Sequence, residues 1–586
     1  MATPVRPLDA PAAPVARPTA GNGRRGGALV LAPVLTLVLF LTPVAIGLAG
    51  TWLPAVGILP ALGGDSLSLE PFSALFAEPG LATAIRLSVV TGVGSTMLAL
   101  ALAILALALA SDGRTMRAAR RALAPLLAVP HAAFAVGLAF LLAPSGWLAR
   151  LVSPGLTGWD RPPDLATVND PAGMALLLGL AVKETPFLIL MGLAALNQIP
   201  ARQTLAVARS LGYRPAMAWM KTILPLLYPQ MRLPVFAVLA YGLSTVDMAL
   251  LLGPTAPPTL GPLLLGWFHD SDLQRRFVAA AGAVLQLLLM IGIAGLWRLG
   301  EMAVAGAARP WLTSGRRGRR GGRFLRVAGG TGVAIVVTVS LLTFLMLALW
   351  SLSEGWRYPD AWPVGWTLDN WVSTLPALGR SFAITASVAM AATAIGLALV
   401  VGCLEFEDRS GFRPGRGALW LIYTPLLIPQ LGFLFGIQVS LATLRLEGTF
   451  PALVWTHLLF VLPYIYLTLA EPWRALDPRL ARSAAALGHA PRRTLWRVKL
   501  PVLLRPVLFA AAVGFAVSVA QYLPTLFAGA GRLPTLTTEA VGLGVGGDRR
   551  VAGIYAFAQA ALPLIMFALA MAVPAILYRH RRNLRP

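Results

Sequence analysis

The chain has 586 residues, of which 57% are hydrophobic and only 12% charged. A soluble chain of this length divides into several domains, and their surfaces need about twice that share of charge. Soluble multidomain enzymes and disordered chains are therefore excluded, and a single cysteine, Cys403, excludes a disulfide scaffold. What remains is an all-α, polytopic membrane protein with the lipid bilayer as its solvent. The formal net charge is +24. In a soluble protein that excess would point to nucleic acid. Here the basic residues lie between apolar runs, where they mark cytoplasmic loops, so no nucleic-acid partner is expected.

In chain order, residues 1–27 are Pro/Ala-rich with Arg6, Arg17, Arg24 and Arg25, the composition of a disordered tail. The apolar run 28–50 is long enough to span a bilayer. A signal peptide would have a shorter apolar core and a small-x-small cleavage site, so this run reads as an uncleaved first helix. Further spans are predicted near 82–110, 121–143, 173–196, 228–252 and 277–298. A second set falls near 328–350, 379–403, 417–443, 451–472, 504–528 and 552–578, making about twelve in all. The joint 111–121, the linker 299–327 with Arg316, Arg317, Arg319 and Arg320, and the C-terminal RHRRNLRP are basic and fall on one side. That side is the cytoplasm, which places both termini there. The opposite loop 51–79 carries Asp65, Glu70 and Glu78 and no Lys or Arg. Residues 28–298 and 328–586 form two halves joined by the basic linker.

The halves repeat. Leu211–Pro225 (LGYRPAMAWMKTILP) and Leu487–Pro501 (LGHAPRRTLWRVKLP) share L-G-x-x-P, eight residues, L-P, at an offset of 276. The same offset pairs Gly253 with Gly529 and Pro-Thr-Leu at 258–260 with that at 534–536. PLLAVP at 125–130 resembles PLLIP at 425–429, and Gly137 and Gly436 each follow seven residues after the last proline. In the two L-G-x-x-P segments, Gly212 and Gly488 can take positive φ and close a helix. Pro215 and Pro491 suit the first turn of the next one, and Leu224-Pro225 and Leu500-Pro501 are expected to stop it and return the chain to the membrane. Each segment is a rigid cytoplasmic elbow suited to docking a soluble partner.

The elbows resemble the coupling loop of permease subunits of bacterial ABC importers: E-A-A, three residues, G, nine residues, I-x-L-P. The Gly and the L-P match in both halves; the Glu falls on Ala206 and Arg482, and the Ile on Thr222 and Val498. The resemblance covers most of residues 28–580 and is to fused permeases, in which one chain supplies both membrane halves. Lys183–Leu190, Val246–Leu260 and Ala516–Val541 look most like the thiamine-type group. The resemblance implies a bacterial inner-membrane location and two cytoplasmic ATP-binding subunits. These would dock on Ala206, Leu211, Gly212, Pro215, Leu224 and Pro225, and on Leu487, Gly488, Pro491, Leu500 and Pro501. It also implies a periplasmic solute-binding protein and a small-molecule solute, thiamine or another small cation.

No G-x-x-x-x-G-K-[ST] and no G-x-S-x-G occurs. His131, His269, His457, His489 and His580 lack metal-ligand spacing. No catalytic residue, metal or cofactor is expected, and ATP hydrolysis falls to another chain. Polar groups within the predicted spans are Lys183, Glu184, Asp247, His457, Gln521 and Tyr522. Such groups line a translocation pathway or hold helices together. Asp247 stands out because its span follows the first elbow, and a carboxylate there suits a cationic solute. An ion-coupled secondary transporter could use Asp247 and Glu184 to carry protons, but it gives the two elbows no role.

Overall fold

The computed structural model describes residues 27–109, 123, 125–318, 322–415, 417, 422 and 425–579. The expected tail, apart from Gly27, the basic joint 111–121 and the chain from His580 onward lie outside the described residues, as do Arg319 and Arg320. Helices dominate. Among the described residues the sheets are two short antiparallel hairpins, Ile58–Leu59 with Gly64–Asp65 and Ser353–Gly355 with Gly365–Trp366. Each hairpin follows the first long helix of one half.

Ten described helices are long and apolar enough to cross a membrane. In the first half they are Leu31–Ala55, Leu81–Leu109, His131–Val152, Met174–Leu196, Pro215–Ser244 and Arg275–Thr313. In the second they are Val327–Leu352, Asp369–Ser410, Phe450–Arg474 and Arg549–Leu577. Pro491–Val502 with Leu504–Val519, bent by 79°, makes an eleventh. The count falls short of about twelve at 417–443, where the well-formed helix is Leu431–Thr443, 13 residues long. The break precedes it at Ile428-Pro429, and the first half breaks alike at Val129-Pro130. Proline lacks an N–H and drives the residue before it out of the helical region.

The expected spans 228–252 and 504–528 are not single rods. The first helix ends at Ser244, Thr245 turns extended, and Asp247–Leu252 forms a new six-residue helix. The second half repeats this with Leu504–Val519 and Leu523–Gly529. Asp247 therefore sits beyond the break, not on the rod that begins at the elbow. The linker also differs. Arg275–Thr313 is one 39-residue helix that runs past 298. Loss of hydropathy does not end it, because Glu301 ties Arg298 (2.7 Å) and Arg232 (2.8 Å) to its surface and Ala-rich sequence favours helix. The next described helix begins at Gly322, and the described part of the joint is 314–318.

The halves exchange their first helices. Leu31–Ala55 packs on Leu431–Thr443 and Asp369–Ser410 of the second half, while Gly322–Leu352 packs on His131–Leu142 and Leu81–Leu109 of the first. Small residues allow the close approach. Gly50 meets the Gly436 backbone, and Thr51 Oγ1 accepts a bond from the Gly436 N–H at 3.1 Å. Gly137 stands in the same way against the Thr343 carbonyl. The two glycines found at equal spacing after a proline are thus the crossing points of the exchanged helices. Phe268 of the first half stacks on Phe435 of the second at 4.5 Å and meets Phe527 edge-on at 6.1 Å. Exposed apolar side chains such as Leu37, Leu288, Leu341, Met390 and Ile565 lie on the long helices, as lipid-facing surface requires.

Candidate coupling elbows and translocation pathway

Each elbow begins with a short polar helix, Ala201–Ser210 or Pro478–Ala486. Both close identically. Gly212 (φ +84°) donates to Arg209 O at 2.9 Å and Tyr213 to Ala208 O at 3.0 Å. Gly488 (φ +77°) donates to Ala485 O at 2.9 Å and His489 to Ala484 O at 3.0 Å. This pair of bonds satisfies the last carbonyls and requires a left-handed residue, which is why glycine stands there. Leu211 and Leu487 are 57% and 79% exposed at the two tips. Ala206 is exposed on the first helix, and Pro215 and Pro491 open the helices that follow.

The Leu-Pro pairs do not stop those helices. Pro215–Ser244 runs on through a π turn at Trp219–Ile223, and Leu224 and Pro225 continue it. The second elbow has the same π turn at Leu495–Lys499 before Leu500 and Pro501, and bends only at Leu503. A widened turn spares the proline ring its clash with the carbonyl four residues earlier. The second elbow is pinned by buried Lys499, whose ammonium donates to Glu405 at 2.7 Å and to Asp408, both at the end of Asp369–Ser410. On the first elbow, Pro200, Gln203, Thr204, Val207, Leu211 and Leu312 line a depression of about 450 Å³.

Within the first half, His131 Nε2 pairs with Glu184 at 2.9 Å, and the His131 ring packs on Tyr241 with centroids 4.6 Å apart. Tyr241 donates to Asp247 Oδ1 at 3.2 Å, and Thr245 Oγ1 donates to the same oxygen at 3.2 Å. Two second-half tyrosines complete the group: Tyr464 lies within electrostatic reach of Glu184, and Tyr522 of Asp247. The group thus gathers two carboxylates, one imidazole and one tyrosine of the first half, with two tyrosines of the second within electrostatic reach. Gln521 is buried in the break beside Tyr522.

Lys183 and His457, also expected on the pathway, have their polar atoms engaged by other groups. Lys183 is buried and donates to Leu126 O (2.9 Å) and Val129 O (2.6 Å), the carbonyls left unpaired by the break at Pro130. His457 is buried between Ser518 Oγ (2.8 Å) and Thr525 Oγ1 (3.0 Å), joining two helices of one half. His131, Tyr241 and Tyr464 were not anticipated. An imidazole opening an apolar helix directly after a proline was the signal for the first. Among the described residues no group of three or more His, Cys, Asp or Glu could hold a metal.

No protein-family model matches the chain. It is 33% identical over 539 residues to the inner membrane ABC transporter permease protein YnjC of Escherichia coli K12, covering 91% of this chain and 96% of that one. It is 26% identical to the putrescine transport system permease protein PotI of the same strain, over 36% of this chain and 80% of PotI. It is 29% identical to the molybdenum transport system permease protein ModB of Mycobacterium tuberculosis, over 29% of this chain and 67% of ModB. Relatives that match about a third of the chain, and one that matches nearly all of it, agree with the internal repeat: the chain belongs to the ABC transporter permeases, as a fused form carrying both membrane halves.

Proposed function

We propose that the chain forms the transmembrane pathway of a binding-protein-dependent importer of a small organic cation, thiamine being the leading case. The observation that carries this is the Glu184–His131–Tyr241–Asp247 group, with Tyr464 and Tyr522 of the second half within electrostatic reach of its carboxylates. Carboxylates offset the desolvation of a cation, and tyrosine faces attract it. The relatives' names include one putrescine system and one molybdenum system, so the solute is argued from the site and not from kinship.

Two cytoplasmic ATP-binding subunits dock on the elbows at Leu211 and Leu487, and a periplasmic binding protein delivers solute to the opposite face. Both termini lie in the cytoplasm. Because Pro215–Ser244 is one rod, movement of the first elbow arrives at the break beside Asp247. The pathway has two arrangements whose equilibrium the partners bias. The test is uptake of labelled thiamine, with putrescine and molybdate as competitors, in cells carrying the permease and its partners. Competition by cations alone is expected; competition by molybdate alone would refute the cationic assignment. An ion-coupled carrier would keep transporting with Leu211→Asp and Leu487→Asp and would stop with a protonophore.

A further inference from the structure

We infer that the joint between the halves is part of the first docking site, where it supplies positive charge that the second elbow carries on its own helix. This rests on the docking role proposed above. After Pro491 the second elbow continues with Arg492 and Arg493, both exposed. After Pro215 the first elbow has Ala216 and Met217 instead. The joint folds back onto exactly that stretch of chain. Arg317 O accepts from the Arg214 N–H at 3.2 Å. Lys221 Nζ donates to Ser314 O at 2.6 Å and Ser314 Oγ at 3.1 Å, and it sits over the rings of Tyr213 (5.6 Å) and Trp311 (5.2 Å). Gly318 lies on Met217, and the Arg317 side chain is the nearest neighbour of Gly212. At Gly488 no described residue fills the corresponding space.

Arg317 is thus held next to Gly212, and exposed Arg316 precedes it in the chain, while Gly318 lies on Met217, the position that corresponds in the repeat to Arg493 of the second elbow. Arg202, Arg209 and Arg214 are exposed on the same elbow, and residues 198–226 and 302–318 contain no Asp or Glu. Exposed Val207 and Leu211 and the depression closed by Leu312 give this surface an apolar centre. An apolar centre within a wholly cationic rim fits an ATP-binding subunit whose docking groove is edged with carboxylates. Among the described residues the two ATP-binding subunits then meet unlike surfaces, the first built from elbow and joint and the second without a counterpart of the joint.

The experiment uses the full chain with its ATP-binding subunits in phosphatidylcholine nanodiscs. Single cysteines at the equivalent positions Val207→Cys and Ser483→Cys, in a Cys403→Ser background, report cross-linking at each elbow. R316A/R317A is expected to lower cross-linking about tenfold at Val207→Cys and leave Ser483→Cys unchanged. Adding A216R/M217R should restore the first yield. Unchanged yield at Val207→Cys overturns the inference. So does a loss confined to nanodiscs containing anionic lipid, which would assign these guanidinium groups to headgroups. Leu487→Asp serves as the separate check: if it leaves the Ser483→Cys yield intact, the docking role itself fails, and this inference with it.

Discussion

Gly436 lies against Gly47 so closely that a methyl group on either would overlap the backbone of the opposite helix. Gly47 belongs to the first helix of the first half and Gly436 to the second half, so this contact is where the exchanged helix is fastened. Gly137 against Thr343 fastens the other one. Backbone cannot yield as a flexible side chain can, and overpacking a tight interface costs about 1–3 kcal/mol or more. Gly436→Leu and Gly137→Leu should each lower the melting temperature of the detergent-purified protein. Gly295→Leu, at a position with open space around it, should not. Equal melting temperatures for all three would show that the crossing points are not close-packed.

The elbows make a separate prediction. A β-branched residue in a left-handed conformation costs about 1–2 kcal/mol, whereas asparagine visits that region routinely. Gly488 has no neighbour within 4 Å of an added Cβ, so backbone strain alone acts there. Gly488→Val should therefore abolish uptake and weaken copurification of ATP-binding subunits, while Gly488→Asn keeps most of both. Gly212→Val meets the Arg317 side chain at 3.4 Å as well and should be at least as damaging. Membrane insertion should be normal in all of them, as read by membrane fractionation. Wild-type uptake by both valine variants would remove the elbows from coupling.

Lys499 gives a test of how the second elbow is anchored. Its ammonium and the Glu405 carboxylate are both buried, and removing one partner of such a pair costs about 3–5 kcal/mol. Lys499→Met should destabilise the protein by an amount in that range in detergent, softened because Arg409 still holds Glu405 at 2.7 Å. Combining it with Glu405→Leu should recover stability, since an apolar pair replaces the ionic one. A melting temperature unchanged by Lys499→Met would mean the pair is solvated.

Topology is tested by thiol labelling in a Cys403→Ser background. Cysteines in loop 51–79 should react with an impermeant reagent in intact cells, and cysteines at 314–318 should not. The reverse pattern would invert the chain.

The elbows were legible because glycine and proline act locally: a left-handed closure and a first-turn proline are set by a few neighbouring residues. Glu184 and Asp247 were legible as ionisable groups in apolar runs. Lys183 and His457 met the same criterion, yet they serve carbonyls and hydroxyls within a half, because hydropathy does not record the direction in which a side chain points. Tyr241 acquires meaning only when separate helices of the first half are packed together, and Tyr464 only when the second half is brought beside them. Hydropathy likewise ended the sixth span near Arg298, although the helix persists to Thr313. It also carried two spans, 121–143 and 417–443, through Pro130 and Pro429, where the helix breaks.

At Asp247, charge and hydrogen bonding can be tested separately. Its Oδ1 accepts from Tyr241 and Thr245, and those bonds hold the break between the two helices. Asn keeps an acceptor oxygen at that position and loses only the charge. If Asp247 serves the fold alone, Asp247→Asn should transport normally. If it meets a cationic solute, uptake should fall at least tenfold, about 1.4 kcal/mol of lost interaction, with insertion and docking intact. Tyr241→Phe removes one donor and leaves the charge, so it should lower uptake less. Gln521→Leu, at a neutral position in the equivalent break, should also be milder than Asp247→Asn. Initial uptake rates across solute concentrations decide the matter: a raised half-saturation concentration in Asp247→Asn, with a maximal rate near wild type, places the carboxylate against the solute, and full transport at all concentrations removes it from the pathway.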